Sequence, residues 1–584
     1  MSTETLTETI ASPLQPAPAR KPGVWPVEAV ITIWAFIAAG AYFRIKALCH
    51  WRSLWVDEIY LAHSVVSRGM WSLISQPLDK WQIAPPGFLI LTRACVDLFG
   101  PGERSMRIPS LLAGLATLPL FYFLARKILS LRGTLISVCF FSSLAPMVYF
   151  SQELKPYSME VAVALGVILT AVNCLQNPAS IRHVMIFAAV SLAGLFFSVS
   201  AGFVIAGCGI ALFAGRFATA RKSGAPLLAA ILPLLLVGLI LGGAEALNYF
   251  AFYRGLLHSK VHLALVQDWQ KMNGFPQGGP NRAAPWIFFS LKNIMAGTYT
   301  MYLSAPDLAL FAGTIGLGAI ISGKKRLLGF ILVAPLPVAI IFALARQYPL
   351  ADRLALYLVP ILVIFISAGL DWIWGPGGWG RFSMGLLAIL MIVGNPVIRS
   401  IYEARYPSGR EETRQIYQRI REYWRAGDIL LLNDMAAPSF DYYAPRTGMA
   451  GLHQLLFPGE DETPILEASA QGEAAWPWLA RAFASRPPQD KPLDGYVALL
   501  ADHSQNDALY LDDVDYLFRP PLQWNGFKVT RVWVVYTHTY GNDVDTITRG
   551  EFNRVAQESF KINGDGAQAY LYEVSATPSA YLKP

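Results

Sequence analysis

Between residues 25 and 398 the chain is one apolar run after another, most close to the roughly 20 residues a helix needs to cross a hydrocarbon layer. That feature narrows the possible folds more than any other. In lipid every backbone N–H and C=O must be satisfied within the segment, so such runs are read as transmembrane helices. The segments are 25–43, 108–125, 134–150, 159–175, 227–244, 308–321, 327–345, 354–369 and 384–398. A longer stretch, 184–214, is interrupted by Ser198 and Ser200 and reads as a hairpin of two, which makes eleven spans. Composition agrees: 54% of the 584 residues are apolar and 15% charged, against roughly 45–50% and 25% in soluble domains. A small soluble enzyme, a disordered chain and a fibre are all excluded.

The net charge of +7 needs no nucleic-acid partner, because basic residues on cytosolic loops orient membrane spans. Residues 1–24, rich in Ser, Thr, Ala and Pro, read as a flexible cytosolic leader before an uncleaved anchor. With that leader inside, Arg126, Lys127 and Arg132, then Arg216, Arg221 and Lys222, then Lys324, Lys325 and Arg326 all fall on the cytosolic side. Arg44 and Lys46, at the outer end of the first span, go against the rule. The expected extracytoplasmic loops are 44–107, 151–158, 245–307 and 346–353, with 86–98 and 286–303 as helices along the membrane surface. Five cysteines, none in the tail, are too few for a disulfide framework, and Cys49 and Cys95 can meet only if both lie outside.

After residue 398 the pattern is that of a soluble α/β domain, 399–584. Residues 411–425 place Ile416, Ile420, Tyr423 and Trp424 on one helix face, and 429–432, 496–500, 529–535 and 569–574 read as strands. An odd number of spans puts this domain on the same side as the first loop. The fold class is therefore a polytopic α-helical membrane protein with a C-terminal extracytoplasmic α/β domain.

Two loops carry candidate chemistry. The first opens with Arg52-Ser53-Leu54-Trp55-Val56-Asp57-Glu58-Ile59-Tyr60, two adjacent carboxylates in an apolar setting at the outer end of a span. Burial raises a carboxyl pKa, and a carboxylate at a membrane-level cleft can take a proton from a hydroxyl. A helix N-terminus that favours acids near its dipole explains the same pair equally well. The second loop, Ser151-Gln152-Glu153-Leu154-Lys155-Pro156-Tyr157-Ser158, offers an acid, a base and a phenol between two spans.

Taken with Pro85-Pro86-Gly87-Phe88 and Arg107-Ile108-Pro109-Ser110, these loops resemble the GT-C membrane glycosyltransferases, in the branch of the protein O-mannosyltransferases and lipid A aminoarabinose transferases. The resemblance covers roughly residues 25–200, with an echo at Asp352-Arg353-Leu354-Ala355-Leu356-Tyr357. It implies a GT-C fold and transfer of one sugar from a polyprenyl-phosphate-linked donor to a lipid, glycan or protein acceptor. By position, Asp57 matches the family's catalytic carboxylate, Glu58 its companion, and Glu153 the acid that positions a substrate. Arg353 matches a basic residue suited to the donor phosphate, with Lys155 and Lys80 as further candidates, and Tyr60 and Tyr157 as substrate contacts. Relatives often carry His before the Pro-Pro, where this chain has Gln82-Ile83-Ala84. The Trp-Trp-Asp motif of oligosaccharyltransferases is absent.

The implied mechanism needs no cofactor, and whether a divalent metal takes part stays open. His258 and His262, four apart beside Lys260, are the candidate metal pair, with no acid or Cys nearby to complete a set. Asp513-Val514-Asp515 and Asp543-Val544-Asp545 read as the metal triplet of nucleotide-sugar transferases or as surface turns, and their place in the tail favours turns. The rival function is a transporter or flippase with an extracytoplasmic binding domain. Transporters gather polar groups within their spans, whereas here they concentrate in the loops.

Overall fold

The computed structural model describes residues 25–79, 82–224, 226–254, 266–267, 269–278, 282–323, 325–375, 378–406, 409–433, 436–454, 495–499, 523–524, 527–528, 531–537, 549, 553 and 556–573. Every apolar segment read from the sequence forms helix over most of its length, with breaks inside 134–150 and 184–214. Among the described residues, eight helical segments are long and apolar enough to cross a membrane: Val27–Cys49, Glu103–Ile128, Tyr157–Gln176, Ala201–Ser223, Leu227–Tyr253, Arg326–Leu344, Asp352–Ile373 and Gly378–Arg405. Three shorter apolar helices, Leu131–Ser142, Ile181–Phe197 and Pro306–Ser322, fall below that length among the described residues, so the expected eleven spans are not all met by length and composition.

The predicted hairpin within 184–214 breaks where expected. Ser198 is extended, its hydroxyl lies 3.2 Å from that of Ser200, and the second helix starts at Ala201. The segment 134–150 differs from expectation. It forms Leu131–Ser142 and a short second helix, Ala145–Phe150. Pro146 has no N–H to bond the carbonyl of Ser142 four residues back, so the first helix cannot continue through it. The Ser143 hydroxyl also turns back to the Cys139 carbonyl at 2.8 Å.

At the centre of the bundle, Val359–Ile373 is buried without interruption from Val359 to Leu370. It crosses Pro306–Ser322 at backbone contact. A methyl added at Gly316 would fall 1.9 Å from the Phe365 carbonyl oxygen, and one at Gly369 1.8 Å from that of Ala312. In lipid, where hydrophobicity does not press helices together, such small-residue contacts supply the packing.

The two predicted surface helices form as Pro86–Phe99 and Ala283–Ala296. The second stops seven residues short of the predicted end. A turn follows in which the Met301 and Leu303 amides bond back to the Ile294 and Met295 carbonyls at 3.2 and 2.9 Å. All five cysteines are free thiols.

In the tail, helix Thr413–Tyr423 buries Ile416, Tyr417 and Ile420, but Tyr423, expected on the apolar face, is exposed. The strands are β1 (Asp428–Leu432), β2 (His453–Gln454), β3 (Gly495–Leu499), β4 (Gln523–Trp524), β5 (Phe527–Lys528), β6 (Arg531–Thr537), β7 (Gln557–Gly564) and β8 (Ala567–Glu573). Six of them make one mixed sheet in the order β2-β3-β1-β6-β8-β7. β1 lies parallel to β3 and β6, and β8 runs antiparallel to β6 and β7. β7 was not read from the sequence. It is the half-exposed edge strand, with the burial pattern of its residues too mixed to mark an apolar run.

The tail is not a separate body beside the membrane part. Leu54, Ile59, Leu61 and Phe88 of the first loop share one apolar core with Ile416, Tyr417, Phe440 and Trp533 of the tail. Loop and tail therefore stand on the same side of the bundle.

Candidate functional site

Helix Val27–Cys49 ends in a turn at Trp51, one of the few non-glycine residues with positive φ (53°). The chain then runs through Arg52, Ser53 and Leu54 to Trp55, which caps helix Val56–Ser67. Asp57 and Glu58 fall in the first turn of this helix, about 100° apart around its axis, so they face different surroundings.

Glu58 turns inward and is fully buried. Its carboxylate accepts two hydrogen bonds from the Arg107 guanidinium, at 2.8 and 2.6 Å, and one from the Leu154 amide at 2.6 Å. It also accepts the Trp55 amide at 3.4 Å, the Glu side of a capping arrangement. Arg107 donates further to the Arg52 and Ser53 carbonyls at 2.9 and 3.0 Å. Burial pushes the Glu58 pKa up, but the charge and hydrogen bonds of Arg107 outweigh it and leave the carboxyl below its ordinary range. All these bonds tie the first loop, the start of helix Glu103–Ile128 and the second loop together. Both Glu58 oxygens are engaged in holding these segments together.

Asp57 turns the other way and keeps 23% of its side-chain surface. Its Oδ2 lies 3.0 Å from Nη2 of Arg353, whose guanidinium also sits 5.4 Å above the Trp55 ring. Arg353 reaches it from a 3₁₀ turn, Asp352–Leu358, that leads into the central helix. The sequence is silent on this pairing, since 296 residues separate the two.

The second loop packs down on helix Glu103–Ile128 because residue 114 is glycine. A Cβ there would stand 2.5 Å from that of Ser151. The loop thereby buries Glu153 completely, and Glu153 Oε1 accepts the Trp55 indole N–H at 2.8 Å. Lys155 is also buried and hydrogen-bonds the Gln82 side chain, so the residue that stands in the relatives' His region meets a candidate phosphate ligand. Burial lowers the Lys155 pKa, an effect that Asp57 and then Glu153 oppose and Arg353 reinforces. Tyr157 opens helix Tyr157–Gln176, buried and edge-on to Phe150 at 5.1 Å. Tyr60, one turn after Asp57 on the same helix, is half-buried.

The structure thus gathers Asp57, Arg353, Glu153, Lys155 and Tyr157 around Trp55. Lys80, His258 and His262 lie outside the described residues, as do both Asp-Val-Asp triplets. Among the described residues no group of three His, Cys, Asp or Glu side chains converges as a metal set.

Several members of the site were missed. Arg410 of the tail lies over the rings of Trp55 (4.2 Å), Tyr299 (4.1 Å) and Tyr149 (4.9 Å), with Glu153 Oε1 at 3.9 Å. The two residues after it dock on the first loop. Glu411 accepts the Val56 amide at 3.0 Å, an acid placed at the positive end of a helix, and Glu412 accepts the Ser53 amide and hydroxyl at 3.2 and 3.0 Å. Arg410-Glu411-Glu412 reads in sequence as an ordinary charged surface run. Arg107 did carry a signal: an arginine at the head of an apolar run needs a buried partner.

A model of the family described as dolichyl-phosphate-mannose-protein mannosyltransferase matches residues 84–241. No curated protein matches the chain. Similar solved structures include the oligosaccharyltransferase AglB from Archaeoglobus fulgidus, in complex with an inhibitory peptide and a dolichol-phosphate, at TM-score 0.47 and 11% identity over 96% of this chain and 75% of that one. ArnT from Cupriavidus metallidurans, bound to undecaprenyl phosphate, is similar at TM-score 0.43 and 12% identity over 94% and 98%. The family match overlaps the region from which the resemblance was read.

Proposed function

We propose that the protein transfers a sugar from a polyprenyl-phosphate-linked donor to an acceptor hydroxyl on the extracytoplasmic face, with inversion and with Asp57 as general base. The observation that carries this reading is the Asp57–Arg353 pair. It is a partly exposed carboxylate and a guanidinium 3.0 Å apart, one on the first loop and the other on the turn that leads into the central helix. The family match over residues 84–241 supports the donor class.

In this reading the donor phosphate takes over the Arg353 fork, for which a planar guanidinium is well shaped. Asp57 then faces the acceptor hydroxyl and takes its proton. The acceptor oxygen bonds to the anomeric carbon while its proton passes to Asp57. The bond from that carbon to the phosphate oxygen breaks, and the electron pair leaves on the phosphate, neutralised by Arg353 and Lys155. Attack opposite the leaving group inverts the anomeric centre. Glu58 holds Asp57 in place through Arg107, and Glu153 fixes the Trp55 indole under the two arginines.

The test is sugar transfer in membranes from a lipid-linked donor. Asp57→Asn keeps size and hydrogen bonding, so expression and folding are retained. Activity falls by about 10²–10⁴-fold, the usual worth of a general base. Near-normal turnover by Asp57→Asn would sink the mechanism.

A further inference from the structure

Residues 52–56, which lead into the helix that carries Asp57, are all buried, so each backbone amide among them needs a partner. From Trp51 to Trp55 the chain is neither helix nor strand. Its Arg52 and Ser53 carbonyls go to Arg107 of the bundle. Its amides go elsewhere. Ser53 donates to Glu412 at 3.2 Å, Leu54 to the Tyr443 phenol oxygen at 2.7 Å and Val56 to Glu411 at 3.0 Å, and all three acceptors belong to the tail. Between them, the Trp55 amide is bound by Glu58 of the loop itself.

The tail acceptors are themselves aimed. The Tyr443 hydroxyl donates to Glu103 at 3.1 Å, which commits its proton and leaves its oxygen for the Leu54 amide. Glu103 also accepts the Trp51 indole N–H at 2.8 Å and the Arg414 guanidinium at 2.7 Å, so one carboxylate on the bundle sets the tail against the loop. From the other side, the Ser53 hydroxyl donates to Glu412 at 3.0 Å and accepts the Arg414 amide at 3.2 Å.

Val56 is the first residue of helix Val56–Ser67, and its amide is one of the four that a helix cannot satisfy from within. Glu411 meets it from 355 positions along the chain, with a negative charge where the helix dipole favours one. Asp57 is the next residue. Where its carboxylate points follows from how this first turn is set, whereas Arg353, which it meets at 3.0 Å, stands on a different element.

We infer that the tail is the template of the catalytic loop: Glu411 and Tyr443 are positioning residues that set the backbone of residues 53–56 and thereby hold Asp57 opposite Arg353. The consequence for turnover rests on the transferase reading above. It gives the C-terminal domain a part in the reaction that needs no contact with substrate.

The test is made on the full-length protein. Glu411→Leu and Tyr443→Phe each remove one acceptor and keep most of the side-chain volume. In detergent, hydrogen exchange at residues 53–57 speeds up in both variants, while strands β1 and β6 of the tail keep their protection. In membranes, kcat for transfer from the lipid-linked donor falls by about 10–10²-fold, the scale of a displaced reacting group. Glu411→Gln, which still offers an oxygen to the Val56 amide, loses less. In an Asp57→Asn background Glu411→Leu brings no further loss, because placement matters only for a base that is present. Three results overturn the inference: unchanged exchange at 53–57 in both variants, a loss of protection that spreads equally through β1 and β6, or the same fold loss in kcat with and without Asp57. Near-normal turnover by Asp57→Asn counts against the base reading instead, and exchange at 53–57 then decides by itself whether the tail holds the loop.

Discussion

Glu58 and Arg107 form a two-pronged ion pair, 2.6 and 2.8 Å, with 1% and 2% of their side-chain surfaces exposed. Through it the first loop is fastened to the helix that follows and, by the Leu154 amide, to the second loop. Removing one partner of a buried pair strands the other, which typically costs about 3–5 kcal/mol. Glu58→Gln therefore lowers the melting temperature of the detergent-purified protein clearly, and activity falls with stability. A variant with unchanged melting temperature and lost turnover would instead place Glu58 in the chemistry.

Arg353 separates charge from geometry. Arg353→Lys keeps the cation but loses the planar fork and the stacking on Trp55, so the apparent KM for the lipid-linked donor rises. Arg353→Ala raises it further. Unchanged donor KM in Arg353→Ala would move the phosphate to Lys155.

The first loop carries an acid-labile contact. Burial raises the Asp79 pKa, but hydrogen bonds from His63 and Ser64 and the charge of Arg68 outweigh it and bring the group from 3.8 to about 2. A depressed carboxyl pKa stabilises the fold above the unfolded value, and that contribution is lost as pH falls through the folded one. Hydrogen-exchange protection at residues 63–79, taken relative to the intrinsic rate at each pH, thus falls between about pH 4 and pH 2 in the native protein, and Asp79→Asn flattens this step. An identical pH profile for the variant would discount the contact.

Topology is open to a direct check. Ser53 and Ser151 are buried and make poor labelling sites, whereas Ser75, Arg419 and Ser223 are exposed. With the exposed Cys49 first replaced, Ser75→Cys and Arg419→Cys react with an impermeant maleimide on intact cells, and Ser223→Cys reacts only after permeabilisation. Because Ser53 bonds Glu412, positions 75 and 419 must agree with each other. Labelling of Ser223→Cys alone would invert the orientation.

What the chain determined by itself was whatever depends on neighbours in sequence. Apolar length and interruption set the helices, down to the break at Ser198–Ser200, because backbone satisfaction in lipid is a local requirement. The β1, β3, β6 and β8 strands were legible as short apolar runs, and edge strand β7, with its mixed burial pattern, was not. Asp57 and Arg353 were visible as chemical types at loop ends. Their pairing was not, nor was the different fate of Asp57 and Glu58, which a one-residue step of about 100° sends to opposite environments. The docking of Arg410, Glu411 and Glu412 on the first loop likewise had no local signal. A charged run looks the same whether it meets water or a partner more than 350 residues away, and only the folded chain, by bringing the tail onto Trp55, Val56 and Ser53, decided which.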